Sequence, residues 1–309
     1  MTVATFISIG ECMAELQLAR DGLYSLGFGG DTLNTAWYMR ALTDSGATAV
    51  EYFTAVGSDQ LSKNLLGFLK ENGLGTRFIA ENPDLNLGLY LITLAGTERS
   101  FTYWRSASAA RLLAEDERHL RSALSQADTI YFSGITLAIL SPSHRRTFLT
   151  VLREMKSLGV TIVFDSNARR KLWPTQAAMK KAVIAGYRVA TRAMPTFDDD
   201  STLFGDADPA ACARRIAGLG VSEVVVKNGP QPCTILTKGE LSTVESHPVS
   251  GIVDTTGAGD SFNAGYMAAR MAGKLPGEAA AFAHRVAARV ICGRGALLDM
   301  AKFSDLRVR

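Results

Sequence analysis

Residues 254–265 read DTTGAGDSFNAG, and this segment is the most informative in the chain. Gly257 and Gly259 allow a tight turn and a close approach of the backbone to a ligand. The alanine-rich sequence that follows predicts a helix over 258–273, whose first turn would direct free N–H groups to the same place. Because such groups and the helix dipole attract anions, the segment predicts a phosphate-binding helix N-terminus.

Asp260 stands in this segment where a carboxylate would repel phosphate. It therefore requires another task, and accepting a proton from a substrate hydroxyl is one. The alternative is a first-turn carboxylate that only interacts favourably with the helix dipole. The segment is neither a P-loop, because GxxxxGK[ST] is absent, nor a dinucleotide-binding fingerprint, because the third glycine is missing. Local physics leaves both interpretations of Asp260 open.

The rest of the chain alternates between strand and helix patterns. Short apolar runs predict strands at 3–9, 48–56, 129–134, 160–165, 187–194 and 221–228. Helical spacing of apolar residues predicts helices at 31–42, 59–72, 142–158, 175–186, 208–219, 258–273 and 276–292. This alternation predicts an α/β fold with a mostly parallel central sheet and helices on both faces, whose ligands bind beyond the carboxyl ends of the strands.

Two segments depart from the alternation. The β-rich runs within 86–104, separated by residues 95–98, predict a hairpin with no intervening helix. We expect it to form a small separate sheet, a lid over one edge of the main domain. A second hairpin is predicted at 233–246, with its turn at Lys238 and Gly239. Since no repeat or Pro-rich linker divides the chain, we predict one domain over 1–309.

Composition excludes several classes of protein. The 309 residues include 33 Lys+Arg and 30 Asp+Glu, a net charge of +3, which is too small and too evenly spread to indicate binding to nucleic acid or membranes. The four cysteines form no CxxC pair, so neither a zinc site nor a disulfide framework is predicted. We see no signal peptide and no apolar run of membrane-spanning length, and we expect a cytoplasmic protein.

The segment DTTGAGDSFNAGYMA resembles the C-terminal signature of the ribokinase/PfkB family of sugar kinases. GGDTLNTA and AVGSD, which begin at Gly29 and Ala55, resemble its N-terminal signature, and the resemblance covers nearly the whole chain. It implies a ribokinase-like α/β core with a β-sheet lid formed near 12–28 and 86–104. It also implies that a sugar hydroxyl receives the γ-phosphoryl group of ATP.

The resemblance assigns the catalytic chemistry to residues 254–265. It implies that Asp260 is the base that takes the hydroxyl proton. The backbone of Gly257, Ala258 and Gly259 is implied to form an anion hole and to contact the nucleotide phosphates. Both roles agree with the physical interpretation, because amide groups at a helix start neutralise charge that builds on a transferred phosphoryl group.

Four further segments resemble the branch of the family that phosphorylates 2-keto-3-deoxygluconate: GFGGDTLNTA, GLYLITLAGTERSFTYWRSASAA, SGITLAILSP and FDSNARRKLW. That sugar acid carries a carboxylate, which an arginine can hold through two parallel hydrogen bonds. The resemblance implies this role for Arg105 and Arg169, and further substrate contacts from Gly30, Asp31, Asn34, Tyr90 and Tyr103. The alternatives are ion pairs for the arginines, lid packing for the tyrosines and a helix cap for Asp31.

VVVKNG at 224–229 resembles the family's KxGxxG nucleotide loop, although Pro232 replaces the second glycine. The resemblance implies nucleotide contacts in this loop only for Lys227 and Gly229. The alternative is that the two residues belong to an ordinary turn. The resemblance also implies nucleotide contacts from Asn167, and from His284, which stands where relatives often have asparagine near the adenine. A lone histidine on a helix is otherwise structural.

Phosphoryl transfer requires that charge on the β- and γ-phosphates be neutralised, so Mg²⁺ is expected. The family's NxxE-type motif would fall within PTFDDD at 195–200, where both ends depart from the pattern. Asp199 is predicted to contact magnesium through water, and a solvated acidic loop is the alternative. GRGA at 293–296 resembles a segment that binds a monovalent cation such as K⁺ in some relatives.

These features predict an ATP-dependent kinase that phosphorylates 2-keto-3-deoxygluconate on its terminal hydroxyl. The alternatives are a kinase of the same family that acts on a neutral sugar such as fructose or ribose, or on the galactonate epimer. A sugar-binding regulator without catalysis is a third. Because exposed edge strands tend to pair, we expect two lids to meet in a homodimer or a higher homo-oligomer.

Overall fold

The computed structural model describes residues 3–18, 22–95 and 98–308. Its strands are β1 (Ala4–Ile9), β2 (Met13–Leu18), β3 (Tyr24–Gly29), β4 (Thr48–Phe53), β5 (Ala55–Val56), β6 (Ala80–Glu81), β7 (Gly88–Ala95), β8 (Glu98–Trp104), β9 (Thr129–Ser133), β10 (Thr161–Asp165), β11 (Arg192–Ala193), β12 (Glu223–Val226), β13 (Cys233–Thr237) and β14 (Glu240–Val244). Its α-helices are α1 (Asp31–Leu42), α2 (Gln60–Glu71), α3 (Glu117–Leu124), α4 (Gly134–Ile139), α5 (Pro142–Ser157), α6 (Gln176–Val189), α7 (Phe197–Phe204), α8 (Pro209–Ala217), α9 (Ala258–Met271) and α10 (Pro276–Ile291). In the described part of the chain, no helix combines the length and apolar character that a bilayer crossing requires.

The central sheet has eight strands within the described residues, in the order β14-β13-β12-β11-β10-β9-β1-β4. Neighbouring strands from β12 to β4 are parallel, whereas β13 and β14 run antiparallel at one edge. The predicted α/β fold with a mostly parallel sheet is therefore confirmed. The predicted hairpin of β13 and β14 is also present, and Lys238 and Gly239 form its turn with φ angles of 51° and 82°.

Helices cover both faces of this sheet, because successive residues of each strand direct apolar side chains to opposite faces. On β10, Val163 and Phe164 are both fully buried, in two different hydrophobic clusters. Helices α1, α9 and α10 contribute to the cluster of Val163, and α3, α5, α6 and α8 to that of Phe164. Burial of each large apolar side chain contributes about 1.5–3 kcal/mol to the stability of the fold. This packing holds in place the sheet whose strand ends carry the site.

The lid is a separate four-stranded sheet within the described residues, in the order β3-β2-β7-β8. β2 pairs antiparallel with β3 and parallel with β7, and β7 pairs antiparallel with β8. Both predicted lid segments, 12–28 and 86–104, therefore contribute strands. Residues 96–97 of the predicted hairpin turn, and residues 19–21 of the first segment, lie outside the described residues.

One sequence prediction about local structure was wrong, and one alternative interpretation is excluded. The strand predicted at 187–194 is reduced to Arg192–Ala193, because α6 continues to Val189. Tyr187 and Val189 are buried in the helix, and short apolar runs suit a buried helix end as well as a strand. The acidic segment 195–200 is not a loop, since α7 begins at Phe197 and its first turn holds three aspartates that interact favourably with the helix dipole.

Candidate active site

A cleft of about 510 Å³ lies between the lid and the carboxyl ends of the central strands. The structure brings together most of the side chains predicted from the sequence. The cleft is lined by the predicted residues Gly30, Asp31, Asn34, Tyr90, Tyr103, Arg105, Asn167, Arg169, Asp199, Lys227, Gly257, Ala258, Gly259 and Asp260. The position agrees with the rule that open parallel sheets bind ligands beyond their carboxyl ends.

The N-terminus of α9 enters this cleft through a turn that only glycine fits well. Gly257 is the N-cap residue with a φ of 78°, and a Cβ there would approach the carbonyl oxygen of Ala296 to 3.0 Å. Asp254 holds the turn, because its carboxylate accepts hydrogen bonds from the backbone N–H groups of Thr256 (3.1 Å) and Gly295 (2.7 Å). The first amide groups of the helix are thereby directed at the cleft, where they can bind an anion.

Asp260 lies in the first turn of α9, beside those amide groups. Its Oδ2 accepts a hydrogen bond of 2.8 Å from Asn34 Nδ2. Burial, and next the negative charge of Asp31, raise the pKa of the Asp260 carboxyl to about 7, although Asn34 and Lys227 oppose the shift. A carboxyl group with this pKa can accept a proton near neutral pH, so the geometry and the electrostatics both suit a general base.

Asp31 and Asn167 form the polar floor of the cleft next to Asp260. Asn167 Nδ2 donates to Asp31 Oδ2 at 2.7 Å, and the Asn167 N–H donates to Asp165 Oδ1 at 3.0 Å. Burial raises the pKa of the Asp31 carboxyl, and the hydrogen bond from Asn167 partly offsets that increase. The N-cap of α1 is Gly30 rather than Asp31, so Asp31 is available for contacts in the cleft.

Lys227 is buried at the end of β12, and its ammonium group lies beside the anion-binding turn. Lys227 Nζ bonds to Asp165 Oδ2 at 2.6 Å and to Asn263 Oδ1 at 3.0 Å. It also lies 3.6 Å from where a Cβ of Gly259 would stand. Asp165 and Asn263 were missed as site residues in the sequence. The position of Asp165 at the carboxyl end of a buried strand was the available signal.

Arg105 and Arg169 both line the cleft, but each already has an acidic partner. Arg105 forms an ion pair with Glu11, which is buried and also accepts a hydrogen bond from Ser108. Arg105 Nε is buried and has no hydrogen-bond partner among the described residues. Arg169 is half exposed, with Nη1 3.5 Å from Asp199 Oδ2. Glu11 gave no signal in the sequence, because its partner lies 94 residues away.

The two predicted tyrosines face the cleft from adjacent lid strands. The ring centroids of Tyr90 and Tyr103 are 5.8 Å apart, and Tyr90 donates a hydrogen bond to Glu15. Trp104, the neighbour of Tyr103, is absent from the cleft lining, as the alternation of side chains along a strand predicts. The lid therefore presents an aromatic, hydrogen-bonding surface to any ligand below it.

The structure does not bring Gly229 or His284 to the cleft lining. Gly229 lies in an exposed turn with a φ of 56°. His284 is buried on α10, where its ring packs edge-on against Phe262 at 5.0 Å and burial lowers the pKa of its imidazole. Their contacts with a nucleotide stay predictions, and the surroundings of His284 agree with the structural alternative.

The cleft offers oxygen ligands of the kind that Mg²⁺ prefers. Asp165, Asp198 and Asp199 all line it, the last two from the first turn of α7. Burial raises the pKa of the Asp199 carboxyl, and the charge of Arg169 opposes that increase. This donor set fits a divalent cation, and the predicted magnesium contact of Asp199 stays a prediction.

Known proteins resemble this chain over nearly its whole length. The model of the pfkB family carbohydrate kinases matches residues 4–302, so the chain belongs to that family. It is 39% identical to a 2-dehydro-3-deoxygluconokinase of Dickeya dadantii, over 97% of this chain and 98% of that protein. It is 38% identical to a 2-dehydro-3-deoxygluconokinase of Escherichia coli K12, over 94% and 96%. Among solved structures, a fructokinase with bound ATP from Xylella fastidiosa shares the fold, with a TM-score of 0.84 at 20% identity over 98% of this chain and 97% of that one.

Proposed function

We propose that this protein is an ATP-dependent kinase that phosphorylates 2-keto-3-deoxygluconate, giving 2-keto-3-deoxy-6-phosphogluconate and ADP. The observation that carries the proposal is Asp260, a carboxyl group with a pKa near 7 beside the first amides of α9. A protein that only binds sugar has no need of such a base. The choice of substrate is supported by the two relatives, both of which are 2-dehydro-3-deoxygluconokinases.

The reaction follows from the positions of these groups. Asp260 accepts the proton of the terminal hydroxyl while the hydroxyl oxygen forms a bond to the γ-phosphorus of ATP. The bond between that phosphorus and the β–γ bridging oxygen breaks, and the electron pair leaves with ADP. Asn34 orients the Asp260 carboxylate through its 2.8 Å hydrogen bond. The amides of residues 257–259 stabilise the negative charge on the migrating phosphoryl group.

The charge of the ATP phosphates also requires cations. Lys227 lies beside the anion-binding turn and can attract a phosphate oxygen. Asp199, with Asp165 and Asp198 nearby in the lining, would hold Mg²⁺ through water. The ion would neutralise charge on the β- and γ-phosphates. A K⁺ ion at residues 293–296 is a further proposal, tested by comparing activity in K⁺ and tetramethylammonium salts.

The substrate carboxylate is proposed to bind Arg105 and Arg169. Both arginines line the cleft, and the buried Nε of Arg105 has no hydrogen-bond partner within the described residues. Tyr90 and Tyr103 would cover the sugar from the lid, while Gly30, Asp31 and Asn34 would contact its hydroxyl groups from below. A glycine is required at 30, because a Cβ there would collide with the carbonyl oxygen of Glu11. Closure of the lid would exclude water, which competes as acceptor.

Two properties of the whole molecule complete the proposal. The outer face of the lid exposes Leu18, Tyr24, Leu26 and Trp104, each at least 45% accessible. Since an apolar sheet face of this kind marks an interaction surface, we propose that two lids pair in a homodimer. Cys12, Cys212, Cys233 and Cys292 are free thiols, which suits the reducing cytoplasm that we propose as its location.

A coupled ADP-release assay tests the proposed function. The panel contains 2-keto-3-deoxygluconate, its galactonate epimer, fructose and ribose, each with ATP and Mg²⁺. We expect the highest kcat/KM with a 2-keto-3-deoxy sugar acid, and Asp260→Asn should lower kcat about 10²–10⁴-fold. A preference for fructose or ribose would favour the neutral-sugar alternative. Sugar binding without ADP release would favour the regulator.

A further inference from the structure

A buried hydrogen-bond network lies directly behind the cleft floor and is centred on Asp200. Asp200 is fully buried on α7, one residue after Asp199, and does not line the cleft. Its carboxylate accepts hydrogen bonds from Ser166 Oγ (2.5 Å), Tyr187 Oη (2.8 Å) and Arg215 Nη2 (2.7 Å). A buried carboxylate is costly unless it is hydrogen-bonded and paired, and Arg215 supplies the opposite charge.

Ser166 connects this network to the cleft. Its chain neighbours Asp165 and Asn167 both line the cleft, whereas Ser166 itself is fully buried. Asn167 has a φ of 28°, a left-handed conformation that residues other than glycine adopt only at a cost in free energy. Such a conformation persists only where surrounding contacts hold it.

Contacts on two sides hold this segment. On one side, a Cβ at Gly134 would collide with the carbonyl oxygen of Ser166, so the backbone of α4 packs directly against the segment. On the other side, Ser166 Oγ donates to Asp200. Between these contacts, the Asn167 side chain reaches Asp31, and Asp165 reaches Lys227. Four charged or polar groups of the cleft therefore depend on where residues 165–167 lie.

We propose that Asp200 is a positioning residue for phosphoryl transfer, which acts by holding Ser166 and thereby the strained backbone of Asn167. This inference rests on the proposed kinase activity. Asp200 touches neither the cleft nor a reacting atom, so its effect passes through the segment 165–167. A displacement of that segment by a fraction of an ångström would move Asn167 away from Asp31 and Asp165 away from Lys227.

The same network offers a matched control. Asp206 accepts hydrogen bonds from Arg215 Nε (2.9 Å) and Nη2 (2.7 Å), so it shares the partner of Asp200. It lies after the end of α7 and makes no contact with Ser166 among the described interactions. Asp200→Asn and Asp206→Asn are thus the same chemical change on the two partners of one arginine, and only the first touches the cleft segment. Ser166→Ala removes the connecting hydroxyl alone.

The test compares kcat, KM and Tm of these three variants with those of the unsubstituted protein. We expect Ser166→Ala and Asp200→Asn to lower kcat/KM about tenfold to a hundredfold, because small displacements of positioned groups have effects of that size. Asp206→Asn should lower Tm and leave kcat/KM within about twofold. The proposal is overturned if Ser166→Ala keeps its kcat/KM within twofold, or if Asp206→Asn loses as much activity as Asp200→Asn.

Hydrogen–deuterium exchange separates this proposal from the proposed function. The Asn167 N–H is bonded to Asp165 Oδ1, so a peptide over 165–168 should exchange slowly in the unsubstituted protein. It should exchange faster in Ser166→Ala, and at the original rate in Asp206→Asn. Unchanged exchange in Ser166→Ala refutes the positioning role. If the unsubstituted protein does not phosphorylate 2-keto-3-deoxygluconate, the proposed substrate is wrong, and the exchange rates still decide whether Asp200 holds the segment.

Discussion

Asn34 Nδ2 donates a 2.8 Å hydrogen bond to Asp260 Oδ2, which joins the starts of α1 and α9 across 226 residues of sequence. Asp31, three residues before Asn34, places a negative charge near the same carboxylate and raises its pKa. One helix start thus supplies both the group that favours the ionised form of Asp260 and the group that opposes it. The pKa of about 7 reflects burial first, then these two effects, with smaller opposing contributions from the charges of Asp165 and Lys227.

The first prediction concerns the pH dependence of catalysis. Since Asp260 must be ionised to accept a proton, kcat/KM should rise with pH and level off above about 7. Asn34→Ala removes a hydrogen bond to the ionised form, so the pKa should rise and the acidic limb of the profile should move to higher pH. Asp31→Asn removes a negative neighbour, so the limb should move to lower pH by roughly one unit. A shift of the acidic limb in the same direction in both variants would contradict this explanation of the Asp260 pKa.

The second prediction concerns recognition of the substrate carboxylate. Arg105→Ala should raise KM for 2-keto-3-deoxygluconate about tenfold to a hundredfold, because a hydrogen bond to a charged group contributes about 1.5–3 kcal/mol. The control is Arg77→Ala, which removes an arginine that is half exposed, paired with Glu51 and absent from the cleft lining. Steady-state kinetics with the acid and with a neutral sugar would show whether the effect is specific. An equal loss with both sugars would argue against a carboxylate contact.

Loss of Arg105 should also make the free energy of unfolding depend more strongly on pH. Burial raises the pKa of the Glu11 carboxyl even with Arg105 beside it, and Arg105→Ala would raise it further. In that variant the unfolded chain ionises Glu11 from about pH 4.3, while the folded chain keeps it protonated, so the free energy of unfolding falls as pH rises. Relative to the unsubstituted protein, Arg105→Ala should lower Tm more at pH 7.5 than at pH 5. Adding Glu11→Gln to the Arg105→Ala variant should reduce this loss of Tm. A deficit independent of pH would contradict this.

The fourth prediction concerns the turn before α9. Gly257→Ala would place a Cβ 3.0 Å from the Ala296 carbonyl oxygen at a φ of 78°, so the turn must shift. We expect a loss of about 1–2 kcal/mol in the free energy of unfolding and at least about a tenfold loss in kcat/KM. Gly277→Ala is the matched control, because a Cβ there meets no atom within 4 Å. Similar activity in the two variants would show that the turn does not form the anion site.

The fifth prediction concerns assembly. Leu26→Asp places a charge on the apolar outer face of the lid and should convert the proposed dimer to a monomer. Leu158→Asp is the control, because Leu158 is 69% exposed just after α5, away from the lid. Light scattering after gel filtration measures both. An unsubstituted protein that elutes as a monomer would refute lid pairing.

The sequence predicts the fold well because its signals are local and repeated. Apart from the strand predicted at 187–194, the apolar strands and the helices with apolar residues at regular spacing appear within a few residues of their predicted limits. Gly257 indicated the anion-binding turn for a local reason, since its φ of 78° and the nearby Ala296 carbonyl oxygen favour glycine there. The positions of Asp260 and Asn34 followed from the resemblance to sugar kinases.

The parts that could not be predicted depend on contacts between distant residues. The pairing of Glu11 with Arg105 spans 94 residues, and the bond between Ser166 and Asp200 spans 34. Neither leaves a pattern in the sequence near either partner. The position of His284 outside the cleft lining, with its ring against Phe262, is likewise a matter of contacts between two helices. Side-chain direction on a buried helix is a property of tertiary packing.

The connections between the lid and the central domain are also the places where the sugar would be recognised. Glu11 and Gly30 flank the first passage of the chain through the lid, and Arg105 follows the second. A ligand that fills the cleft would therefore contact the segments that connect the lid to the central domain. Altered sugar preference and altered opening rate should then arise together from single substitutions at these junctions, so selection on one property would constrain the other.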